Sequence, residues 1–264
     1  MDVRPLTPQI GAEIEGVDLR VASDAEVAAL RAALTDHLVL FLRGQSLDDP
    51  AQQAFAARFG EVEQFPFGPG GPADAPDVHA ITTGGDAPKY SNADVWHSDA
   101  TFMETPPLGS ILRAVELPPL GGDTLWASAY AAYDSLSSRV QSLIDGMTAT
   151  HDVAKSSAHR SPNHDRFPPV SHPVVRTHPE SGRRALFVNR NFTVALDDVG
   201  ERENEVLLPL LCDTFRAPDI QVRLRWEPGT VAIWDNRSTQ HYATFDYAER
   251  REMHRILLRG DRPV

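Results

Sequence analysis

Apolar residues at a spacing of two constrain this chain most. From Gln221 to Trp226, Val222, Leu224 and Trp226 fall on one side of an extended backbone, and Arg223 and Arg225 fall on the other. That is the pattern of a half-buried strand. Further strand candidates are Val95 to Phe102, Ser110 to Val115, Ala185 to Val188, Val231 to Trp234 and Met253 to Leu258. Leu38 to Leu42 is apolar throughout and reads as a buried strand stopped by Arg43-Gly44. Helical spacing is confined to four places. Ser23-Asp24-Ala25-Glu26 is a capping-box pattern, followed by Val27, Leu30, Leu34 and Leu38 at helical intervals. A second helix is predicted over Asp49 to Arg58, stopped by Gly60, and a third from Ser128 to Gly146. The fourth covers Glu201 to Phe215, with Leu207, Leu211 and Phe215 on one stripe beside Val206 and Leu210. Many short strands with helices at the periphery predict an all-β core with peripheral helices (α+β), an antiparallel sandwich carrying helical additions.

Length and charge limit what such a fold does. A chain of 264 residues supports one sizeable core, so a single domain over 1–264 is expected. The 25 Lys+Arg against 37 Asp+Glu give a net charge of −12, which argues against a nucleic-acid partner. The most continuous apolar run, Leu38 to Leu42, is too short for a membrane span or a signal-peptide core, so no membrane partner is expected. The lone cysteine, Cys212, excludes an internal disulfide and any multi-cysteine zinc site. It reads as a small buried apolar residue on a helix, in a protein of the reducing cytoplasm. Two segments, 65–89 and 155–173, follow neither period and are rich in Gly, Pro, Ser and Asp. Loops this long in a compact domain are linkers or active-site lids.

The chemistry has to come from elsewhere than the familiar short motifs. There is no Gly-x-Gly-x-x-Gly, no phosphate-loop lysine, no His-Glu-x-x-His and no Gly-x-Ser-x-Gly. Most of the ten histidines have plain local explanations. His37 closes a helix, where it suits the dipole. His151, His159 and His164 sit in or beside a polar loop and read as solvated. His172 and His178 flank a short strand, with His178-Pro179-Glu180 in a turn that reads as surface. His97-Ser98-Asp99 stands apart. On a strand, His97 and Asp99 project from the same face, which suits either a hydrogen-bonded structural pair or two ligands of a 2-His-1-carboxylate iron site. If 251–258 is a strand, Arg251, Met253 and Arg255 share one face, and Glu252, His254 and Ile256 the other. Two arginines directed inward need anions to pair with; directed outward, they are ordinary surface charges.

Several blocks together resemble the taurine dioxygenase / chlorophenoxyacetate dioxygenase family of Fe(II)- and 2-oxoglutarate-dependent oxygenases. They are Ile10-Gly11-Ala12-Glu13-Ile14 with Gly16-Val17-Asp18-Leu19, Trp96 to Phe102, Gly121-Gly122-Asp123-Thr124-Leu125-Trp126, His172-Pro173-Val174-Val175 with Thr177-His178-Pro179, and Trp234 through Arg255. The resemblance runs nearly end to end. It implies a double-stranded β-helix (jelly roll) with His97, Asp99 and His241 as Fe(II) ligands. It also implies Thr124 and Arg251 on the distal carboxylate of the cosubstrate 2-oxoglutarate, and Arg255 on an anionic group of the primary substrate. O2 would be consumed, 2-oxoglutarate would leave as succinate and CO2, and a substrate C–H bond would be hydroxylated. Relatives commonly assemble as dimers or tetramers, so a homo-oligomer is within expectation. Taurine itself fits poorly. Phe59-Gly60-Glu61 is followed by Val62-Glu63-Gln64-Phe65 with no histidine, and the asparagine used for the taurine amine is replaced by Ala93. Phe65, Phe67 and Phe192 are candidates for a more apolar cavity wall. The expected substrate is a small organic anion (sulfate ester, sulfonate or carboxylate) with an apolar body. A tailoring hydroxylase of an amino acid or secondary metabolite, a catalytically silent jelly-roll binding protein, and a metal-dependent hydrolase or isomerase are the other readings.

Overall fold

The structure, a computed structural model, describes residues 1–64, 67, 76–86, 92–156 and 164–264. Its largest sheet is ordered Asp2–Pro5, Ala12–Glu15, Val39–Leu42, Val231–Asp235, Gly109–Glu116 and Arg251–Leu258. The far edge of Arg251–Leu258 carries Val62–Glu63 and His79–Thr83. All pairings in this sheet are antiparallel except that of Ala12–Glu15 with Val39–Leu42.

The central strands are buried on both faces, which explains their unbroken apolar runs. In Val231–Asp235 every residue is buried. Val231 and Ile233 join Leu40, Leu42, Ile256 and the helix residues Leu30, Leu34, Phe55 and Phe59 in one core. Ala232 and Trp234 point the other way, into a second core. That second core is closed by a three-stranded sheet, Gln221–Leu224, Thr124–Ser128 and Thr239–Ala243. Trp126 of the small sheet meets Phe41 at 5.3 Å and Trp234 at 5.7 Å between ring centroids. The molecule is therefore built mostly of strands, two sheets packed face to face, with helices Asp24–His37 and Asp49–Phe59 behind the larger one. A further three-stranded sheet, Thr193–Leu196, Thr148–His151 and Val170–Pro173, and the hairpin Val175–Thr177 with Arg184–Leu186 complete the β structure.

The capping box at Ser23 and Glu26 forms, and His37 closes that helix. Other expectations need correction. Val95 to Phe102 is not a strand: His97 makes one isolated bridge to His241, and the chain turns from Asp99 with Ala100 at φ 49°. The single helix over Ser128 to Gly146 is two, Ala129–Asp134 and Ser138–Ile144, because the Ser137 hydroxyl caps a new start. The fourth helix ends at Asp213 and tightens to a 3-10 turn, Thr214–Arg216. Its Val206 and Leu210 are exposed. Segment 65–89 is not wholly loop, since His79–Thr83 is a strand, and 155–173 contributes Val170–Pro173. His159 lies outside the described residues. Among the described residues, no helix is long and apolar enough to cross a membrane.

Candidate active site

Three strands and a turn bring the predicted residues together. The backbones of His97 and His241 exchange hydrogen bonds of 3.1 and 2.8 Å, which sets their rings 4.2 Å apart. His97 Nδ1 donates to the carbonyl of Val95 at 2.6 Å, so Nδ1 carries the proton and Nε2 keeps its lone pair. Both histidines turn Nε2 to one atom, Asp99 Oδ1, at 4.0 and 3.9 Å. All three side chains are buried, with donor atoms within 4.8 Å of one another. Burial pushes the His97 imidazole below its ordinary pKa, and burial with His97 beside it takes His241 down to about 3. Burial alone would raise the Asp99 carboxyl, but Arg255, His241, His97 and Ser110 hold it below the usual carboxylate range. Two neutral imidazoles and one carboxylate are a donor set for Fe(II) with open positions, and the residues present fit that ion.

Asp99 is held from several directions, and the sequence gives no hint of it. The Asn236 side chain accepts from the Asp99 backbone N–H at 2.6 Å and donates to the carbonyls of Asp99 and Pro107 at 2.9 and 3.1 Å. Ser110 Oγ donates to Oδ2 at 3.1 Å and Arg255 Nη1 to Oδ1 at 2.9 Å. Asn236 lies within the Trp234 to His241 block. Only the turn at Asp99, which the sequence disguises as strand, makes its task visible.

A cavity opens between the two sheets. Thr124, Arg251 and Arg255 line it together with His97 and His241, and Ile81, Leu112, Met253 and Phe245 give it apolar walls. The alternation predicted for 251–258 holds: Arg251, Met253 and Arg255 face inward. His254 takes the opposite face and bonds Asp49 at 2.6 Å. Arg251 is buried and its Nε has no hydrogen-bond partner. Burial lowers its pKa, against the opposing pull of Tyr247 and Asp123. Tyr247 in turn shares a 2.7 Å hydrogen bond with Thr83. Trp226 Nε1 donates to Thr124 Oγ1 at 3.0 Å, which leaves the threonine hydroxyl proton to be donated elsewhere. Among the described residues, Arg251 makes no ion pair, whereas Arg255 has Asp99. A buried guanidinium without a carboxylate is a place for an anion.

Tyr247, Trp226 and Asn236 went unrecognised in the sequence, and so did His79. On its strand His79 stands opposite Arg255, on the sheet face shared with Ile81 and Thr83. Burial, with help from Arg255 and His254, lowers its pKa to about 4, so it is neutral. Phe65 lies outside the described residues. Phe192 sits edge-on to His97, 6.5 Å between centroids, but is buried with Ala100, Phe102 and Val153, against which Phe67 and Phe167 pack. It backs the histidine and does not line the cavity. His178 is not on the surface: it is buried and bonded to Asp235 at 3.0 Å. His151 and His172 are buried too, with His151 Nδ1 bonded to Thr101 at 2.9 Å. His164 is the partly exposed one, paired with Asp165.

The family described as taurine catabolism dioxygenase TauD, TfdA family matches residues 2–257. This chain belongs to that family. It is an enzyme, an oxidoreductase of the dioxygenase class. An alpha-ketoglutarate-dependent sulfate ester dioxygenase of Pseudomonas putida is 39% identical to it, over 100% of this chain and 91% of the relative. An alkylsulfatase of Acinetobacter baylyi is 36% identical over 99% of this chain and 86% of its own. Among solved structures, a taurine dioxygenase from Burkholderia xenovorans superposes with a TM-score of 0.86 at 39% identity, covering 100% of this chain and 92% of that one. AAD-2 in complex with Mn(II) and N-oxalylglycine superposes at 0.85 with 25% identity, over 99% and 98%.

Proposed function

We propose that this 2-oxoglutarate-dependent dioxygenase, in a single jelly-roll domain over 1–264, oxidises the carbon that bears the sulfate of a small alkyl sulfate ester. The observation that carries this reading is the pair of inward guanidiniums, Arg251 and Arg255, four residues apart on one strand and beside the His97, Asp99 and His241 triad. Two anions can be held in one cavity on either side of that spacing, which is about 13 Å along an extended strand. His97, Asp99 and His241 would hold Fe(II), which with O2 and 2-oxoglutarate supplies the oxidising power for breaking a C–H bond.

The chain's own residues do the positioning. Arg251 forks onto the distal carboxylate of 2-oxoglutarate, and the Thr124 hydroxyl adds a donor. Tyr247 steadies Arg251 from behind. Arg255 takes the sulfate of the substrate, with the neutral His79 imidazole beside it as a second donor. Ile81, Leu112 and Met253 keep water from the reacting carbon. Hydroxylation of R–CH2–OSO3⁻ at that carbon gives an unstable R–CH(OH)–OSO3⁻. This breaks at the C–O bond into an aldehyde and hydrogensulfate, while 2-oxoglutarate and O2 become succinate and CO2. The relatives that act on sulfate esters support this substrate over taurine, as does the missing amine partner at Ala93, which lines the cavity.

Succinate formation under O2 with Fe(II), 2-oxoglutarate and a panel of hexyl sulfate, taurine and 2,4-dichlorophenoxyacetate tests it. Hexyl sulfate should couple best and release sulfate. Arg255→Ala should raise its KM more than about tenfold and spare 2-oxoglutarate, Arg251→Ala should do the reverse, and His97→Ala should abolish turnover. Coupling to taurine alone, or full activity in His97→Ala, defeats the proposal.

A further inference from the structure

The oxygen of Asp99 that faces both imidazoles is the oxygen that Arg255 holds. Oδ1 lies 4.0 Å from His97 Nε2 and 3.9 Å from His241 Nε2, and Arg255 Nη1 donates to it at 2.9 Å. The other oxygen, Oδ2, is taken by Ser110 at 3.1 Å. The Asp99 backbone is fixed by Asn236, so the carboxylate cannot be carried elsewhere by a movement of the turn. Asp99 is buried and Arg255 nearly so, with side-chain exposures of 9% and 11%. Screening by dissolved salt is weaker there than at the surface, so the guanidinium charge is felt by whatever approaches Oδ1.

From this we infer that Arg255 claims the Asp99 oxygen that faces the two imidazoles, so that a divalent cation and the guanidinium compete for Asp99, and that an organic sulfate relieves the competition by drawing Arg255 to itself. Substrate anion and metal ion then bind with positive coupling. Because coupling is reciprocal, each raises the affinity for the other by the same factor. The sulfate half of this inference rests on the assignment of Arg255 to the substrate anion. The competition half does not.

The direction follows from charge. A cation entering beside Oδ1 meets a fixed positive group that already claims the same lone pairs. Removing that group, or engaging it with an anion, leaves the carboxylate to the cation. Ordinary coupling free energies correspond to affinity changes of about 5- to 150-fold. Without a coupled anion, the cavity would hold its metal loosely; with one, it would close around both. The order of binding thus acquires a thermodynamic bias: the enzyme holds its metal most firmly when there is something to oxidise.

The test is equilibrium binding of Mn(II) to the full chain by titration calorimetry. Hexyl sulfate is the anion, and 2-oxoglutarate is left out so that nothing turns over. For the unaltered protein, saturating hexyl sulfate should lower the Kd for Mn(II) on the order of tenfold, and saturating Mn(II) should lower the Kd for hexyl sulfate by the same factor. Arg255→Ala should bind Mn(II) on the order of tenfold more tightly than the parent with no anion present, and should show no response to hexyl sulfate. Arg255→Gln, which keeps a hydrogen-bond donor without the charge, should resemble Arg255→Ala and provides a second variant should alanine impair folding. Bound hexyl sulfate that leaves Mn(II) affinity unchanged overturns the coupling, and so does coupling that persists in both variants, since the anion would then be acting on the ion directly. If hexyl sulfate does not bind at all, the sulfate-ester reading fails. In that case the anion-free Mn(II) affinity of the two variants decides the competition: unchanged affinity in both overturns it.

Discussion

Gly122 has φ +72°, and a methyl group on it would lie 3.1 Å from Cδ and 3.2 Å from Nε of Arg251. The glycine is thus required twice, by a left-handed backbone and by the arginine stem packed over it. Gly122→Ala should cost about 1–2 kcal/mol of stability, since the residue would be strained in the folded state. More tellingly, it should push Arg251 aside and raise the KM for 2-oxoglutarate several-fold with little change for the organic sulfate. Denaturant midpoints and the two KM values measure the two effects separately, and an unaltered 2-oxoglutarate KM would detach Gly122 from the site. The same logic makes sense of the Gly121-Gly122-Asp123-Thr124 block. A turn of this kind feeds Thr124 into the small sheet while clearing room for a side chain of the large one.

The strand Val231–Asp235 lies between two others and is buried on both faces, so its side chains answer to two cores at once. Ile233→Ala empties space on the helix-facing side, away from the cavity, and should lower stability by about 2–5 kcal/mol. Urea unfolding checks this, and the KM values for both ligands should stay close to those of the parent. How far the sequence predicts an element depends on where its hydrogen bonds end. The helix from Asp24 is capped by Ser23 and Glu26, three residues apart, and can be read directly. The alternation of Arg251–Leu258 is equally local: it put both arginines on one face and left open whether that face turns inward, which the packing of the strand decides. Val95 to Phe102 misled because its shape is imposed by Asn236, 137 positions further along. His178 was misjudged for the same reason: its turn is real, but Asp235 from the central strand draws the imidazole inside. The metal-ligand candidates were legible through resemblance, whereas the groups that brace them come from remote strands and carry no local pattern.

Over the whole molecule, acidic residues outnumber basic ones and many surface arginines are already matched, as Arg4 is with Glu13 and Arg250 with Glu116 and Glu252. Arg251 brings to the cavity a buried positive charge that makes no ion pair among the described residues, so a net charge of −12 coexists with a place for an anion. Burial also makes the molecule sensitive to acid. His151 is held at about 3 by burial, then by His172 and Lys155, against an ordinary value of 6.5. It takes up a proton on unfolding, so the unfolded chain binds more protons below pH 6.5 and stability falls as the pH drops from there toward 3. By pH 5 this one group should remove about 2 kcal/mol. Denaturant unfolding of the parent and of His151→Gln at pH 7.5 and 5 should show a smaller loss in the variant, and equal losses would remove His151 as the cause. The His97–His241 bridge has a different kind of consequence. The distance between those two positions is inherited from a reciprocal pair of backbone hydrogen bonds, so it survives exchange of the side chains mounted on it. A designer could therefore replace an imidazole by a carboxylate or thiolate at either place and reprogram which ion the protein prefers, with the spacing between the two mounting points supplied in advance.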